Sequence, residues 1–132
     1  MKNRKIIAHL PPIKSIILTI RNQKVILDSD LARIYGVSTK RLNEQVKRNA
    51  KRFPPDFAFH LKMKEVQNLK SQIATSSGKD RGNQIETSST HGGRRKLPVA
   101  FNEHGALMAA NVLKSLRAVK MNVFVGREFI NL

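Results

Sequence analysis

Two runs with helical periodicity lie within Asp30–Phe53, joined by Gly36-Val37-Ser38 and followed by Pro54-Pro55. Glycine readily adopts the left-handed conformation that commonly ends a helix, and serine is a good N-cap for the next one. The prolines end the second run, because proline cannot continue a helix. The segment is therefore predicted to form two short helices with a tight turn between them.

The small and apolar residues of this segment have the spacing of a helix-turn-helix unit. Ala32 lies where two helices must approach closely, Gly36 follows four residues later, and Leu42 comes six residues after the glycine. This spacing predicts that the second helix crosses the first and is free to enter a DNA major groove. The alternative is a solvated basic helix in a purely structural hairpin. Asp28 or Ser29 is the expected cap of the first helix.

A helical wheel of the second run separates its cations from its apolar residues. Leu42, Val46 and Phe53 fall on one side, and the opposite side carries six Lys or Arg and one Glu. A merely solvated face usually mixes acidic side chains with basic ones, so this face is expected to bind DNA phosphates and to read bases near the helix start. The expected contact residues are Ser38, Thr39, Lys40, Arg41, Asn43, Glu44, Lys47, Arg48 and Lys51.

The charge of the whole chain points to an anionic partner. Its 25 Lys and Arg outnumber 9 Asp and Glu, and the formal net charge of +16 is spread along the sequence. A domain this basic repels itself unless nucleic acid, an anionic membrane surface or an acidic protein is nearby. No apolar run has the roughly 18 residues of a membrane helix. Pro11-Pro12 and Lys14 interrupt the apolar N-terminus, which is interpreted as mature protein rather than a signal peptide.

The remaining patterns predict an α+β fold with small antiparallel β-elements, the helix-turn-helix-like pair and two C-terminal helices. Residues 13–132 are expected to form one domain after an N-terminal extension over 1–12. The further predicted elements are a hairpin over Lys14–Leu27, strands over Phe57–Leu61 and Leu97–Phe101, and helices over Lys64–Gln72, Asn102–Leu113 and Ser115–Leu132.

A polar loop is predicted over residues 73–96, where Gln72–Ser77 recurs in similar form as Gln84–Ser89. One repeat in a polar segment indicates a local duplication in a tolerant loop rather than a solenoid. The loop ends in Gly92-Gly93 followed by three cations, which can reach phosphates or a minor groove as basic arms do. The alternative is a solvated turn before the next strand. These three cations are Arg94, Arg95 and Lys96.

Taken together, these motifs resemble the KilA-N-type DNA-binding domain, and specifically the branch named for a phage "open reading frame six N-terminal" domain. The resemblance covers roughly residues 12–132. It implies a phage or bacterial mobile-element protein that binds DNA, often with a variable C-terminal partner domain. This chain departs from the pattern in its longer loop and in the lack of a second domain, which leaves a fragment as one interpretation. The motifs are Leu27-Asp28, Leu31-Ala32, Tyr35-Gly36, Thr39–Asn43, Arg52-Phe53-Pro54, Asp56-Phe57, Gly92–Arg95, Pro98, Ala100-Phe101, Glu103 and Gly105.

The sequence offers little support for catalysis, a metal or a cofactor, and none of the three is expected. Cysteine is absent, and the four His residues lack close metal-ligand spacing. Glu103-His104 is an isolated pair that a helix N-terminus explains better than acid-base chemistry does. No aromatic residue is interleaved with the basic helix face, which disfavours single-strand or RNA recognition by stacking.

The last predicted helix carries apolar residues on two faces, which indicates deep burial or a partner. Burial against its own domain is one alternative; a dimer contact and a missing downstream domain are the others. A homodimer would suit two half-sites on DNA. The residues of the first stripe that would form the dimer contact are Leu116, Val119, Val123 and Ile130. The second stripe is Met121, Val125, Phe129 and Leu132.

These observations lead to one functional hypothesis and one alternative. The hypothesis is a cytoplasmic, non-enzymatic, regulatory protein of phage or mobile-element type that binds double-stranded DNA, with full or partial sequence specificity, through its basic second helix. The alternative is an antirepressor-like interaction module that binds an acidic protein.

Overall fold

A computed structural model describes residues 13–76 and 97–131 of the chain. This part contains a four-stranded antiparallel sheet and helices, which confirms the α+β prediction. In chain order its elements are α1 (Ile13–Ile16), β1 (Leu18–Ile20), β2 (Gln23–Leu27), α2 (Asp28–Tyr35), α3 (Thr39–Arg48), a 3-10 turn (Ala50–Arg52), β3 (Ala58–His60), α4 (Met63–Ser76), β4 (Val99–Phe101), α5 (Glu103–Leu113) and α6 (Leu116–Ile130).

The strands lie in the order β1-β2-β4-β3. β1 and β2 form the predicted hairpin, in which Leu18 lies opposite Val25. The turn residues Arg21 and Asn22 both have positive φ, 53° and 63°, as in the two-residue turns whose twist matches that of the flanking strands. The hairpin is shorter than predicted because Ile13–Ile16 form a helical turn.

The sheet separates two groups of buried apolar residues. Ile26 and Phe101 face the larger group, which is built mainly from α2, α3, α5 and α6. Val25 and Ala100 face the smaller group, which α4 covers with residues such as Val66. Successive strand residues point to opposite faces of a sheet, so the short β2 and β4 strands contribute to both groups. The sheet thus fixes the helical layer, which includes α3, on one of its faces.

The turn between α2 and α3 has the predicted left-handed glycine. Gly36 has φ of 73°, and the N–H of Val37 donates to the carbonyl of Ala32 at 3.0 Å. Arg117 of α6 completes this helix end, because its guanidinium donates to the carbonyls of Arg33 and Ile34, each at 3.0 Å. A Cβ on Gly36 would lie 2.7 Å from Cδ of Arg117, so this position requires glycine for its conformation and for the approach of Arg117.

Two long-range polar contacts hold other elements in place. The guanidinium of Arg21 donates to both carboxylate oxygens of Glu65 at 2.9 Å and lies 4.3 Å from the centre of the Phe59 ring. The hydrogen bond from Arg21 holds the pKa of Glu65 below its usual value. The hydroxyl of Tyr35 donates to the carbonyl of Ala106 at 2.9 Å, and burial raises the pKa of Tyr35 well above its usual range.

Several predicted boundaries differ from those observed. α2 begins at Asp28 with no side-chain cap, so the prediction that Asp28 or Ser29 caps it is wrong. The sequence predicts that the second helix continues almost to Pro54, but the observed α3 ends at Arg48 and a 3-10 turn follows it. α4 continues to Ser76, so the predicted loop start at residue 73 is too early. The first copy of the repeat, Gln72–Ser77, therefore lies in α4 as far as Ser76. The remainder of that loop, with the second copy and the basic end, and the extension over 1–12 lie outside the described residues.

Gly105 provides a test of the packing between α5 and the segment before β3. A Cβ at Gly105 would lie 2.0 Å from the backbone carbonyl oxygen of Phe57, so Gly105→Ala should lower the free energy of unfolding by about 1–3 kcal/mol or more. Gly126→Ala in α6 is the matched control, because its Cβ would make an ordinary 3.6 Å contact with Leu107. The control should be neutral or stabilising by up to about 1 kcal/mol, since alanine favours helix. Denaturant unfolding compares the two, and equal stabilities would contradict the described packing.

Candidate functional site

The N-terminus of α3 is built as the sequence predicts. The hydroxyl oxygen of Ser38 accepts a hydrogen bond from the backbone N–H of Arg41 at 3.0 Å. Ser38 has an extended backbone, with ψ of 154°, so it is the residue at which the chain changes direction into α3. The serine thus fixes where the helix starts, and thereby which side chains lie in its first turn.

The exposure of α3 divides its side chains as the helical wheel predicts. Leu42 is fully buried, and Val46 packs against the same core. Phe53, just after the 3-10 turn, is buried beside Phe101 with an edge-to-face ring contact of 6.2 Å between centroids. We call the opposite, solvent-exposed side the cationic face. Its members are Lys40, Arg41, Glu44, Lys47, Arg48 and Lys51.

Within the described residues, no salt bridge neutralises the charges of the cationic face. Among residues 13–76 and 97–131, the salt bridges join Arg21 to Glu65 and Arg33 to Asp30, and neither involves this face. Arg52 lies at the edge of the face and donates to the side-chain oxygen of Asn111 on α5 at 3.4 Å. The face therefore presents five cations and one carboxylate to solvent, with no salt-bridge partner within the described part of the chain.

Asn43 differs from its neighbours on α3 because it points towards Asp28. Its Nδ2 donates to Oδ2 of Asp28 at 2.9 Å, and the same oxygen accepts from the backbone N–H of Val99 at 3.3 Å. The other carboxylate oxygen of Asp28 accepts from the N–H of Ser29 at 2.8 Å. The nearly buried Asp28 thus joins α3, the start of α2 and β4, which explains why it is not available as a simple helix cap.

A groove of about 810 Å³ lies between α3 and β3, and we call it the α3–β3 groove. Its lining is mainly apolar, with Lys40 and Lys47 contributing from the cationic face. The side-chain oxygen of Asn43 is buried at this groove and has no hydrogen-bond partner in the described residues. Nothing in the local sequence predicts the groove, because its walls come from separate segments. Its other lining residues include Val46, Phe53, Phe59, His60, Leu97 and Pro98.

The structure brings together most of the predicted contact residues. Thr39, Asn43 and the cationic face follow Ser38 on one helix and its 3-10 extension, although Thr39 and Asn43 are partly buried. Arg94, Arg95 and Lys96 lie outside the described residues. Sequence reasoning missed Asp28 as a junction and Arg117 as the residue that completes the end of α2. Neither role has a local sequence signal, because Asp28 joins segments up to 71 residues apart and the partners of Arg117 are more than 80 residues away.

The last helix leaves one of its two apolar stripes uncovered. Met121 and Val125 of the second stripe are buried against α5 and its neighbours, whereas the first stripe is exposed to solvent. Burial of this first stripe against its own domain, one of the alternatives, is therefore not observed. The dimer contact stays a prediction.

The described residues contain neither a membrane-spanning helix nor a metal-binding cluster. None of the described helices combines the length and the hydropathy that a membrane crossing requires. Over 13–76 and 97–131, no cluster of three or more His, Cys, Asp or Glu side chains is arranged to hold a metal ion. The ring of His104 stacks on Phe57 with centroids 5.2 Å apart, which gives this histidine a packing contact.

Comparison with known proteins identifies one family. The family model described as the ORF6N domain matches residues 15–112, which run from α1 through most of α5. Neither the curated proteins nor the solved structures contain a match to this chain. The matched residues include Asp28, the whole of α3 and the 3-10 turn, but they exclude α6.

Asn43 and its neighbour Glu44 allow the role of the Asp28 junction to be measured. Asn43→Ala removes a hydrogen bond to Oδ2 of Asp28 and should lower the free energy of unfolding by about 1–2 kcal/mol. Glu44→Ala, at an exposed position, should change it by no more than about 0.5 kcal/mol. Denaturant unfolding without any ligand measures both variants. If Asn43→Ala is as stable as Glu44→Ala, the Asn43–Asp28 contact does not hold α3 in place.

Proposed function

The chain belongs to the ORF6N domain family, a phage-type domain, and on that premise we propose that it binds double-stranded DNA through the cationic face of α3. The observation that carries the proposal is the set of exposed cations without salt-bridge partners in the described residues. Such cations release condensed counterions when they bind DNA phosphates, which supplies affinity that does not depend on sequence.

The placement of two of these cations supports a role in binding rather than in folding. Lys40 and Arg41 lie in the first turn of α3, which contains no acidic residue. The positive end of the helix dipole disfavours cations there by about 0.3–1 kcal/mol each. The first turn of α2 shows the opposite, stabilising arrangement, with Asp28 and Asp30. Cations that oppose folding in α3 are explained if an anionic partner binds at the same helix end.

In the proposed complex, α2, the Gly36 turn and α3 act as a helix-turn-helix unit and α3 is the recognition helix. Lys40 and Arg41 suit guanine, Glu44 can accept from cytosine, and Thr39 can contact either type of base edge. Lys47, Arg48 and Lys51 would bind phosphates, which position the helix. We assign Asn43 a positioning role, because Asp28 already engages its amide nitrogen; Ser38 likewise serves as the helix cap.

The basic end of the predicted loop is proposed as a second contact. Leu97, which follows Lys96 in the sequence, lines the α3–β3 groove together with Lys40 and Lys47. The three cations therefore directly precede, in the sequence, a residue of the groove that borders the cationic face. We propose, as the predicted relationship to KilA-N-type domains implies, a cytoplasmic, regulatory DNA-binding protein rather than an enzyme.

A salt titration with charge-matched variants tests the proposal. Fluorescence anisotropy on labelled duplex DNA should show an affinity that falls steeply with salt. For each tenfold rise in salt concentration, the logarithm of the binding constant should fall by about 0.9 per phosphate contact. Replacing Lys40, Arg41, Lys47 and Arg48 with Ala should weaken binding by at least about 100-fold and should reduce the salt slope by up to about four units. Replacing Lys14, Lys62, Lys64 and Lys70 instead removes the same charge away from the cationic face and should leave most of the slope unchanged.

Three outcomes would overturn this proposal. The first is absence of binding to duplex DNA at low salt, and the second is affinity that salt does not affect. The third is equal loss in the two four-residue variants, which would place the contact elsewhere. Binding of an acidic polypeptide to the cationic face in place of duplex DNA would favour the interaction-module alternative.

Selection from a random duplex library measures which bases are read. If α3 enters the major groove, the wild-type protein should enrich a short common site, and Glu44→Ala should relax preference at one position of it, by about 1–3 kcal/mol. Lys51→Ala should lower affinity for all sequences alike, because a phosphate contact carries no sequence information. A wild-type selection without any enriched site would restrict the function to non-specific binding.

A further inference from the structure

The most prominent apolar surface of the described residues lies on α6. Leu116 and Ile130 are each 73% exposed, Val119 is 54% exposed and Val123 is 49% exposed. Phe124, next to them, is 39% exposed. Large contiguous apolar patches on a soluble domain indicate an interaction site. The opposite side of the same helix is already buried, so α6 is packed and oriented before any partner binds.

The spacing of four of these exposed residues, together with the half-buried Gly126, is that of a coiled-coil seam. Leu116, Val119, Val123, Gly126 and Ile130 follow one another at intervals of three, four, three and four residues. These are the a and d positions of a heptad repeat, which receive the side chains of a second helix. The surface is therefore shaped for a helix that lies along α6 rather than for a strand or a small molecule. We call these five residues the α6 seam.

The residues beside the α6 seam indicate the charge of that helix. Lys120 and Arg127 are exposed and occupy the e positions, whereas Asn122 and Phe129 occupy the g positions. Residues at e and g pair across a coiled coil and decide which partner is accepted. Both charges at this seam are positive, so acidic residues on the partner would complement them.

A second copy of the chain complements this seam poorly. In a parallel pair the two cations would meet Asn122 or Phe129, and in an antiparallel pair they would meet each other. Neither arrangement gives Lys120 or Arg127 a carboxylate. Each copy also carries a formal net charge of +16, which adds long-range repulsion between copies.

We propose that the α6 seam binds an amphipathic helix of another protein whose apolar stripe is flanked by Asp or Glu. α6 lies outside the residues that match the family model, so this surface is separate from the matched region. It is also connected to the proposed DNA-binding unit. Arg117, in the first turn of α6, donates to the carbonyls at the end of α2, so a helix docked on α6 would lie beside the residue that supports the turn before α3.

Synthetic helices provide the probe, because the natural partner is unidentified. Three peptides of about four heptads are compared: one with Leu at a and d and Glu at e and g, one with Lys at e and g, and one with the first composition in scrambled order. Calorimetry or anisotropy against the folded protein should show at least about tenfold tighter binding of the Glu peptide than of either other peptide. Equal binding of the scrambled acidic peptide would reduce the interaction to general charge attraction and would overturn the proposal.

Protein variants separate the seam from its flanking charges. Val119→Asp with Val123→Asp should abolish binding of the Glu peptide, since both positions are exposed seam residues. Lys120→Glu with Arg127→Glu should reverse the preference and favour the Lys peptide, a gain that a misfolded protein cannot produce. Lys62→Glu with Lys64→Glu makes the same charge change at exposed sites before and in α4 and should retain the preference for the Glu peptide.

Two further measurements distinguish this proposal from DNA binding by α3 and from self-association of the chain. The affinity of the Val119→Asp, Val123→Asp variant for duplex DNA should stay within about threefold of wild type. This expectation holds whatever the outcome of the peptide experiment. Failure of the helix-binding proposal would therefore not imply failure of the DNA-binding proposal. Analytical ultracentrifugation of the protein alone tests self-association. A wild-type dimer that this variant converts to a monomer would assign the seam to a second copy and would overturn the acidic partner.

Discussion

The carboxylate of Asp28 is the contact on which the position of α3 depends. It lies where β2 changes directly into α2, and it accepts hydrogen bonds from Ser29, Asn43 and Val99. One buried group thus connects the sheet, the first helix and the second helix. A buried carboxylate is costly unless it is well hydrogen-bonded, so any displacement of α3 that breaks the Asn43 contact raises the energy of the whole junction. The sheet and α3 therefore keep a fixed relative position.

The two sides of α3 have different physical roles because of this attachment. The buried side, with Leu42, contributes apolar burial of about 1.5–3 kcal/mol per large side chain. The exposed side contributes little to folding, and its first-turn cations oppose the helix dipole. A helix selected only for stability would carry acids at Lys40 and Arg41. Their presence is thus better explained by an anionic partner than by the fold, which is why the proposed function is placed on this face.

The sequence predicts those features whose causes are local. Ser38 and Gly36 act as expected because capping and left-handed turns depend on a few adjacent residues. The amphipathic division of α3 is likewise visible in its periodicity. The junction at Asp28 was not predicted, because its partners come from two other elements and only the fold brings them together. For the same reason, the position of β4 between β2 and β3, and hence the α3–β3 groove, has no counterpart in the sequence pattern.

In the last helix, the sequence pattern leaves open which of two apolar stripes is buried, and only the packing of the fold decides it. Both apolar stripes of α6 have helical spacing, so periodicity alone cannot tell which stripe is buried. The fold buries Met121 and Val125 and leaves the α6 seam exposed, because α5 occupies one side of the helix only. Arg117 projects between these two surfaces to the end of α2. A partner that changed the position of α6 would consequently act on the Gly36 turn through Arg117, and through that turn on the start of α3. The two hydrogen bonds of Arg117 therefore add a polar connection between the two proposed surfaces to the apolar core that α2 and α6 share.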